Sequence, residues 1–599
     1  MDMKKISNRL FIVGLTAIAV LQVACNRSNN VSGPIRMNQV GFAPDQEKTA
    51  TIDVDSLNTL PCTLYIINCT SHDTVWQGTA SETMTNPVSG KFRQIVDFSD
   101  LTEVGDYQLC VKKEFSIFNF QFSISQHPYR ELTRKALRAF YYQRASMDIV
   151  EPYAEGYARK AGHPDDHVLV HASAATDERP EGTVISSPGG WYDAGDYNKY
   201  IVNSGFTMGV WLMSYELNKA YFDSLHLNIP ESGSAMPDML EEAMYNIRWM
   251  MTMQDTDGGV YHKLTEPNFE KFIRPDQCKK PRYVVWKTTA ATLDFAATMA
   301  LAARVYAPYD PAFCAQAKEA AELAYAWALE HPEVYYDQPA LNEQIVNDKM
   351  VNSPLITTGA YDDFDVQDEF YWAATELYLL TQDEAYKQMA MEQCPETYVP
   401  AVWGNVGELA HLEWLMHPES LNPLELIIIG SALAHHLQPY LDEAENISVY
   451  RCPYGNREEE FFWGCNSEGC CWRGIECLYA YHLSGEKKYL TQAERCLNYI
   501  LGQNSTGYCY VTGFGSKPTS HPHHRLSYSH PKGTHPGFLA GGPNRERQDA
   551  ETDGVKYPKY VPADESYLDE QPSYASNEVT INWNVTLFAL TAGIDALEE

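Results

Sequence analysis

The sequence predicts a multidomain protein in which a small all-β sandwich precedes a large all-α region. Three observations carry this. Hydrophobicity has a period of two from Ile35 to about Ser125, a helical period takes over after His127-Pro128, and 599 residues exceed what one ordinary core fills.

In the first region Tyr107, Leu109 and Val111 alternate with Gln108, Cys110 and Lys112. Phe118, Phe120, Phe122 and Ile124 alternate with Asn119, Gln121 and Ser123. Successive strand side chains point to opposite faces, so this pattern gives half-buried strands, and with the turn signals between them a sandwich of about ninety residues over 34–125. It carries no obvious chemistry.

The region 128–599 reads as helices over Glu131–Ala145, Thr288–Tyr306, Asp368–Thr381 and Lys488–Leu501. Thr289–Ala303 is mostly Ala, Leu, Phe, Met and Thr, and a helix apolar all round must be covered on every side. Long loops rich in Gly, Pro and aromatic residues separate the helices. They fit a double ring with a cleft at one end, although periodicity does not by itself close a ring.

At the N-terminus, Lys4, Lys5 and Arg9 precede an apolar run from Leu10 to about Leu21 that ends at Val23-Ala24-Cys25. Charged, apolar and small-residue segments in that order predict a signal peptide over 1–24, too short for a membrane span. The cysteine after a small residue resembles a bacterial lipoprotein processing site, so Cys25 is the expected acylated residue, although Gln22 stands where leucine is usual. Residues 25–33 read as a polar tether, which implies an exported lipoprotein of the outer membrane or cell surface, or a periplasmic protein. The only membrane contact expected is the lipid.

A formal charge of −34 argues against a nucleic-acid partner, because a phosphate backbone would be repelled. Of the 14 cysteines, Cys465, Cys470, Cys471 and Cys477 cluster without the paired C-x-x-C spacing of a zinc site and read as buried thiols.

Three segments carry candidate chemistry. In Gly189-Gly190-Trp191-Tyr192-Asp193-Ala194-Gly195-Asp196, two carboxylates lie three residues apart. Acids so close shift each other's proton affinity, so one can serve as a base while the other orients water; calcium loops and helix caps also use Asp-x-x-Asp. A Gly-rich loop from Tyr510 to Lys517 leads into His521-Pro522-His523-His524-Arg525, where Arg525 argues for ligand contact over a metal site. Finally Tyr567-Leu568-Asp569 precedes Tyr574-Ala575-Ser576-Asn577-Glu578-Val579, where apolar neighbours can raise the proton affinity of Glu578.

Together these segments resemble glycoside hydrolase family 9. The opening Ile35-Arg36-Met37-Asn38-Gln39-Val40-Gly41-Phe42 resembles its N-terminal immunoglobulin-like domain. Asp368-Glu369-Phe370-Tyr371-Trp372, Trp463-Gly464-Cys465-Asn466 and Gly537–Asn544 resemble its catalytic domain. The resemblance implies an (α/α)6 barrel and an endo-β-1,4-glucanase acting on soluble β-glucans such as xyloglucan, mixed-linkage glucan or amorphous cellulose. It implies Asp196 as general base, Glu578 as general acid, Asp193 holding the water, Asp569 as a further active-site carboxylate, and His523 and Arg525 as sugar contacts. Trp191 and Tyr574 are further expected substrate contacts. No cofactor is needed for the chemistry; a structural calcium is frequent in the family, without ligands assignable here. Cys509 and Val585 depart from the family pattern beside the active residues. Two carboxyls roughly 6.5–9.5 Å apart would give inverted product.

Rival expectations are an exo-acting relative releasing glucose, glucosamine or short oligosaccharides, with 544–570 as a wall across the cleft, and a non-catalytic glycan-binding lipoprotein. A polysaccharide lyase would favour uronates, which the negative charge disfavours.

Overall fold

The computed structural model describes residues 33–54, 63–113, 116–348 and 351–598. The expected signal segment and Cys25 lie outside the described residues.

The sandwich is built from β1 (Ile35–Arg36), β2 (Thr49–Val54), β3 (Thr63–Asn68), β4 (Thr74–Gly78), β5 (Met84–Thr85), β6 (Phe92–Asp97), β7 (Gly105–Lys113) and β8 (Ser116–Ile124). One antiparallel sheet has the order β1-β2-β6-β5, the other β4-β3-β7-β8. Tyr107 pairs with Phe122, Leu109 with Phe120 and Val111 with Phe118, so the residues that alternate in sequence share one face. That face meets Phe42, whose ring lies edge-on to Phe98 and Phe122 at 5.9 and 6.1 Å.

Twelve of the helices among the described residues form the barrel: α1 (Arg130–Gln143), α2 (Ile201–Leu217), α3 (Asp238–Thr252), α4 (Thr289–Val305), α5 (Pro311–Glu330), α6 (Gln367–Thr381), α7 (Glu384–Gln393), α8 (Gly407–Met416), α9 (Pro423–Asn446), α10 (Trp472–Ser484), α11 (Lys487–Ile500) and α12 (Ile581–Asp595). Further helices, Lys219–Asp223, Gln338–Asn347, Arg525–Ser529 and Tyr574–Asn577, lie in the connections. Even-numbered helices form the inner ring and odd-numbered ones the outer. The pattern follows from composition: α4 is buried at every position except Arg304, whereas α9 buries one stripe, Ile429, Leu433, Leu437, Leu441 and Ala444. Such i, i+4 spacing places side chains on a single helical face.

Helix starts are encoded locally. Asn422 accepts the backbone N–H groups of Leu424 and Glu425 in a capping box, and the Asp310 carboxylate accepts that of Phe313 at 3.0 Å with Pro311 in the first turn. The last helix, α12, packs against α1 and α2, which closes the ring. The four helices read from sequence are α1, α4, α6 and α11.

A five-stranded sheet was not expected. Short strands β9 (Val168–Val170), β10 (Val184–Ile185), β11 (Lys199–Tyr200), β12 (Lys263–Thr265) and β13 (Arg282–Val284) pair in the order β10-β9-β13-β12-β11 at the loop end of the barrel. Strands of two or three residues leave no periodic signature, yet this sheet fixes the loop before α2.

The sandwich is joined to the barrel by buried polar contacts. Asn38 donates to the Asn498 side chain at 2.8 Å, Thr51 to the Val449 carbonyl at 2.9 Å, and Asn86 to Asp564 at 3.0 Å.

Candidate active site

The loop between Gly189 and β11 is closed on itself by the Asp193 N–H donating to the Asn198 carbonyl at 3.0 Å. It is tied to the start of α12 by the Ile581 N–H donating to the Asp193 carbonyl at 2.8 Å. Segments nearly four hundred positions apart thereby meet. On the far side, His523 and Glu578 form a parallel β-bridge, and the Glu578 carbonyl accepts the Gly541 N–H at 2.9 Å.

Gly195 is the point of contact. A Cβ there would sit 2.1 Å from the His523 carbonyl oxygen and 2.9 Å from Glu578 Oε1, so no other residue fits. Arg525 braces the same peptide: its backbone N–H and its guanidinium Nη1 donate to the Gly195 carbonyl at 3.0 and 2.7 Å. The guanidinium carbon also stands 4.7 Å over the Phe272 ring.

Asp193 and Asp196 are buried, Glu578 is half-buried, and their surroundings differ. Asp193 accepts Asn203 Nδ2 on Oδ1 at 2.7 Å and the Tyr361 hydroxyl on Oδ2 at 2.8 Å. Asp196 Oδ2 accepts the Asn198 side-chain amide and, at 3.3 Å, the Tyr200 hydroxyl. Burial, then the Asp196 charge, pushes the Asp193 carboxyl up to about 8. Glu578 is pushed up to about 8 by burial and by the charges of Asp196 and Asp193, against the pull of Arg525. Burial raises Asp196 too, and Arg525 and the Asn198 amide oppose it most. At neutral pH Glu578 therefore keeps its proton, and the negative charge sits on Asp196, the acid best served by a cation and two donors.

These acids line one cleft together with the aromatic residues Tyr361, Trp403, Trp463, Trp583 and Phe269. Tyr361 lies edge-on to Trp403 at 5.0 Å. Such faces stack on the apolar sides of pyranose rings.

Most of the expected site assembles. Asp193, Asp196 and Glu578 converge, and His523 and Arg525 flank them. Tyr574 stands at the rim with its ring 5.7 Å from Trp463 and 6.0 Å from His523. Burial, helped by Arg525, lowers the His523 imidazole to about 4, which keeps it neutral.

Two residues do otherwise. Trp191, an expected substrate contact, is wholly buried, its indole N–H donating to Glu242 at 2.9 Å and its ring 4.8 Å from Phe140. It is core, because the Gly-Gly turn before it directs it under the loop. Asp569 accepts the backbone N–H groups of Ser520 at 2.9 Å and His521 at 2.8 Å, so it holds the turn before His523 and is not among the cleft-lining residues.

The stretch 544–570, expected as a wall, divides: the Gln548 carbonyl accepts the Tyr574 hydroxyl at 3.3 Å and Asp549 the Ala575 N–H at 2.9 Å, at the rim of the cleft. Part of it turns away to the sandwich, where Asp564 meets Asn86 and Glu565 accepts Lys91 Nζ at 2.7 Å. Sequence reasoning missed Tyr361 and Trp403, which no motif marked; Asn198 and Asn203 belong to the stretch Gly189–Asn203 that resembles the family's catalytic domain, but no role was expected of them. Cys509 and Val585 are fully buried, as are Cys465, Cys470, Cys471 and Cys477.

One carboxylate group suits a hard cation. Both oxygens of Glu369 and of Asp294, and Oδ2 of Asp363, are buried with no N–H donor, Glu369 faces the carboxyls of Asp363 and Asp368 within proton-sharing reach, and Asp368 Oδ2 accepts the Val406 N–H. Burial raises Glu369 and Asp294, and each is raised further by Asp368 and Asp363. Either shared protons or a Ca²⁺ ion held by these oxygens would relieve the repulsion among such groups.

Comparison with known proteins gives the same picture from outside. The family described as glycosyl hydrolase family 9 matches residues 129–591, and a cellulase N-terminal ig-like domain matches residues 30–116. A xyloglucan-specific endo-β-1,4-glucanase of Bacteroides ovatus is 46% identical over 587 residues, covering 96% of each chain. A cellulose 1,4-β-cellobiosidase of Acetivibrio thermocellus is 32% identical over 94% of this chain and 67% of its own. Among solved structures, a Bacteroides ovatus family 9 protein superposes with a TM-score of 0.87 at 44% identity, covering 94% of this chain and 99% of its own. A thermostable endoglucanase variant from Alicyclobacillus acidocaldarius gives 0.81 at 30% identity, covering 94% and 99%.

Proposed function

The chain belongs to glycosyl hydrolase family 9 as an endo-β-1,4-glucanase, and we propose that it inverts the anomeric centre with Glu578 as general acid and Asp196 as general base. The carrying observation is the contact at Gly195, which sets the Glu578 carboxyl against the loop that holds Asp193 and Asp196.

Glu578, protonated at neutral pH, gives its proton to the departing glycosidic oxygen as the C–O bond breaks. A water on the opposite face attacks the anomeric carbon and loses a proton to Asp196. Asp193, gripped by Asn203 and Tyr361, orients that water. His523 and Arg525 shape the sugar site beside the broken bond.

Xyloglucan or another soluble β-glucan is the proposed substrate, supported by the Bacteroides ovatus relative and the aromatic cleft. The exo-acting reading needs a blocked cleft. Of the stretch expected to block it, Asp564 and Glu565 pack on the sandwich while Gln548 and Asp549 pack on Tyr574 and Ala575 at the rim, so the product profile decides between endo and exo action. Calcium is proposed at Glu369, Asp363 and Asp368, where it would brace the loop carrying Tyr361. Export and acylation of Cys25 are proposed from the leader sequence; loss of radiolabelled palmitate in Cys25→Ala cells would support them.

The test is the product profile from soluble xyloglucan, mixed-linkage glucan and carboxymethylcellulose for wild type and Glu578→Gln. A rapid viscosity drop with mixed oligosaccharides, lost by at least about 10²-fold in the variant, is expected. A single small product with unchanged viscosity would overturn endo action.

A further inference from the structure

Glu468 also lines the cleft, and neither proton transfer uses it. An irregularity puts it there. Residues Asn466–Cys471 wind as a π-helix and run directly into α10. The wider i→i+5 turn swings side chains out of α-helical register, and such turns recur at functional sites.

The turn is held on both sides. The Asn466 N–H donates to the Gly541 carbonyl at 3.0 Å, and the Ser467 and Thr586 hydroxyls pair at 2.9 Å. Gly464 just before it adopts φ +91°, where a Cβ would lie 2.6 Å from Trp583 Nε1, so the segment wraps closely onto the indole. The Trp583 indole N–H donates to Glu468 Oε1 at 3.2 Å. With that oxygen engaged, Oε2 is the atom Glu468 can offer a ligand.

The neighbours have sugar-binding chemistry. Trp463, 43% exposed, and Trp583 line the same cleft, so aromatic faces and a carboxylate adjoin. An aromatic face takes the C–H side of a pyranose, while an ionised carboxylate accepts from its equatorial hydroxyls more strongly than a neutral acceptor does.

We propose that Glu468 is a specificity-determining residue that binds backbone hydroxyls of a neutral glucan and, with Asp362 in the same cleft, disfavours anionic chains. This rests on the glucanase reading above. Burial pushes the Glu468 carboxyl up to about 7, opposed by the Trp583 hydrogen bond. The ionised form therefore grows as pH rises through neutrality, and sugar binding tightens with it.

Glu468→Gln keeps an acceptor for the indole and removes only the charge. The KM for xyloglucan is expected to rise about five- to tenfold with kcat nearly unchanged, since charged hydrogen bonds exceed neutral ones. The fall in wild-type KM near pH 7 should disappear, and kcat/KM on carboxymethylcellulose should rise relative to xyloglucan. A residue that merely positions Trp583 predicts wild-type KM in the Gln variant; that result, or an unchanged pH dependence of KM, overturns the proposal while leaving the glucanase reading intact. A wild type inactive on every β-glucan overturns both.

Discussion

A Cβ on Gly195 would stand 2.9 Å from Glu578 Oε1 and 2.1 Å from the His523 carbonyl oxygen. The two acids of the proposed mechanism are thus brought to one cleft by the absence of a side chain between them. Gly195→Ala forces the Asp196 loop away from the His523–Glu578 bridge. A small displacement of reacting groups costs about 10²-fold in rate, so kcat should fall by at least that much. Circular dichroism separates this from unfolding: a folded Gly195→Ala protein with wild-type kcat would refute the contact's importance.

The Tyr361 hydroxyl donates to Asp193 Oδ2 at 2.8 Å, one of two hydrogen bonds that stabilise the ionised carboxyl. Tyr361→Phe removes a donor and leaves the ring against Trp403. The Asp193 carboxyl should then hold its proton more tightly and orient water less well. We expect kcat to drop by about three- to tenfold, which corresponds to one hydrogen bond, with KM changed far less. A larger effect on KM than on kcat would place Tyr361 in sugar binding instead.

Glu578 and Asp193 are both raised to about 8, so each binds its proton more tightly folded than unfolded. Their contribution to stability is fully present below the usual carboxyl range near 4.5 and is lost as pH rises through about 8. Glu578→Gln removes one of these penalties. Denaturant titration should show the variant more stable than wild type by about 1–3 kcal/mol at pH 8, and no different near pH 4. Equal stabilities at pH 8 would mean that Glu578 is ordinarily solvated.

Much of this was legible in the sequence. Period-two alternation placed β7 and β8 and their shared face, and the all-apolar run of α4 identified an inner helix, because burial on every side leaves no polar stripe. Neighbouring residues marked Asp193, Asp196 and Glu578 as candidates, and the resemblance to the family supplied their roles. What failed was direction: Trp191 sits in a sugar-like motif, but two preceding glycines with positive φ fold the chain so that its ring enters the core. Tyr361 and Trp403 were invisible, since loop residues that meet only through tertiary structure leave no spacing in sequence.

The Glu369 oxygens and Asp363 Oδ2, which meet no N–H donor beside Asp368, predict a calcium response. EDTA should lower Tm, and calcium at about a hundredfold excess over its Kd should restore roughly 2–3 kcal/mol. Because the same loop carries Tyr361, kcat should fall along with Tm. Glu369→Gln should abolish the response; a chelation effect of unchanged size in that variant would place the ion elsewhere.

The most direct test of the central claim is the configuration of the newly formed reducing end, followed by proton NMR during hydrolysis of a xyloglucan oligosaccharide before mutarotation intervenes. Attack by water activated by Asp196, opposite the face where Glu578 protonates the leaving oxygen, predicts that the α-anomer appears first. Initial release of the β-anomer would show retention through a covalent intermediate and would contradict the roles assigned to both residues.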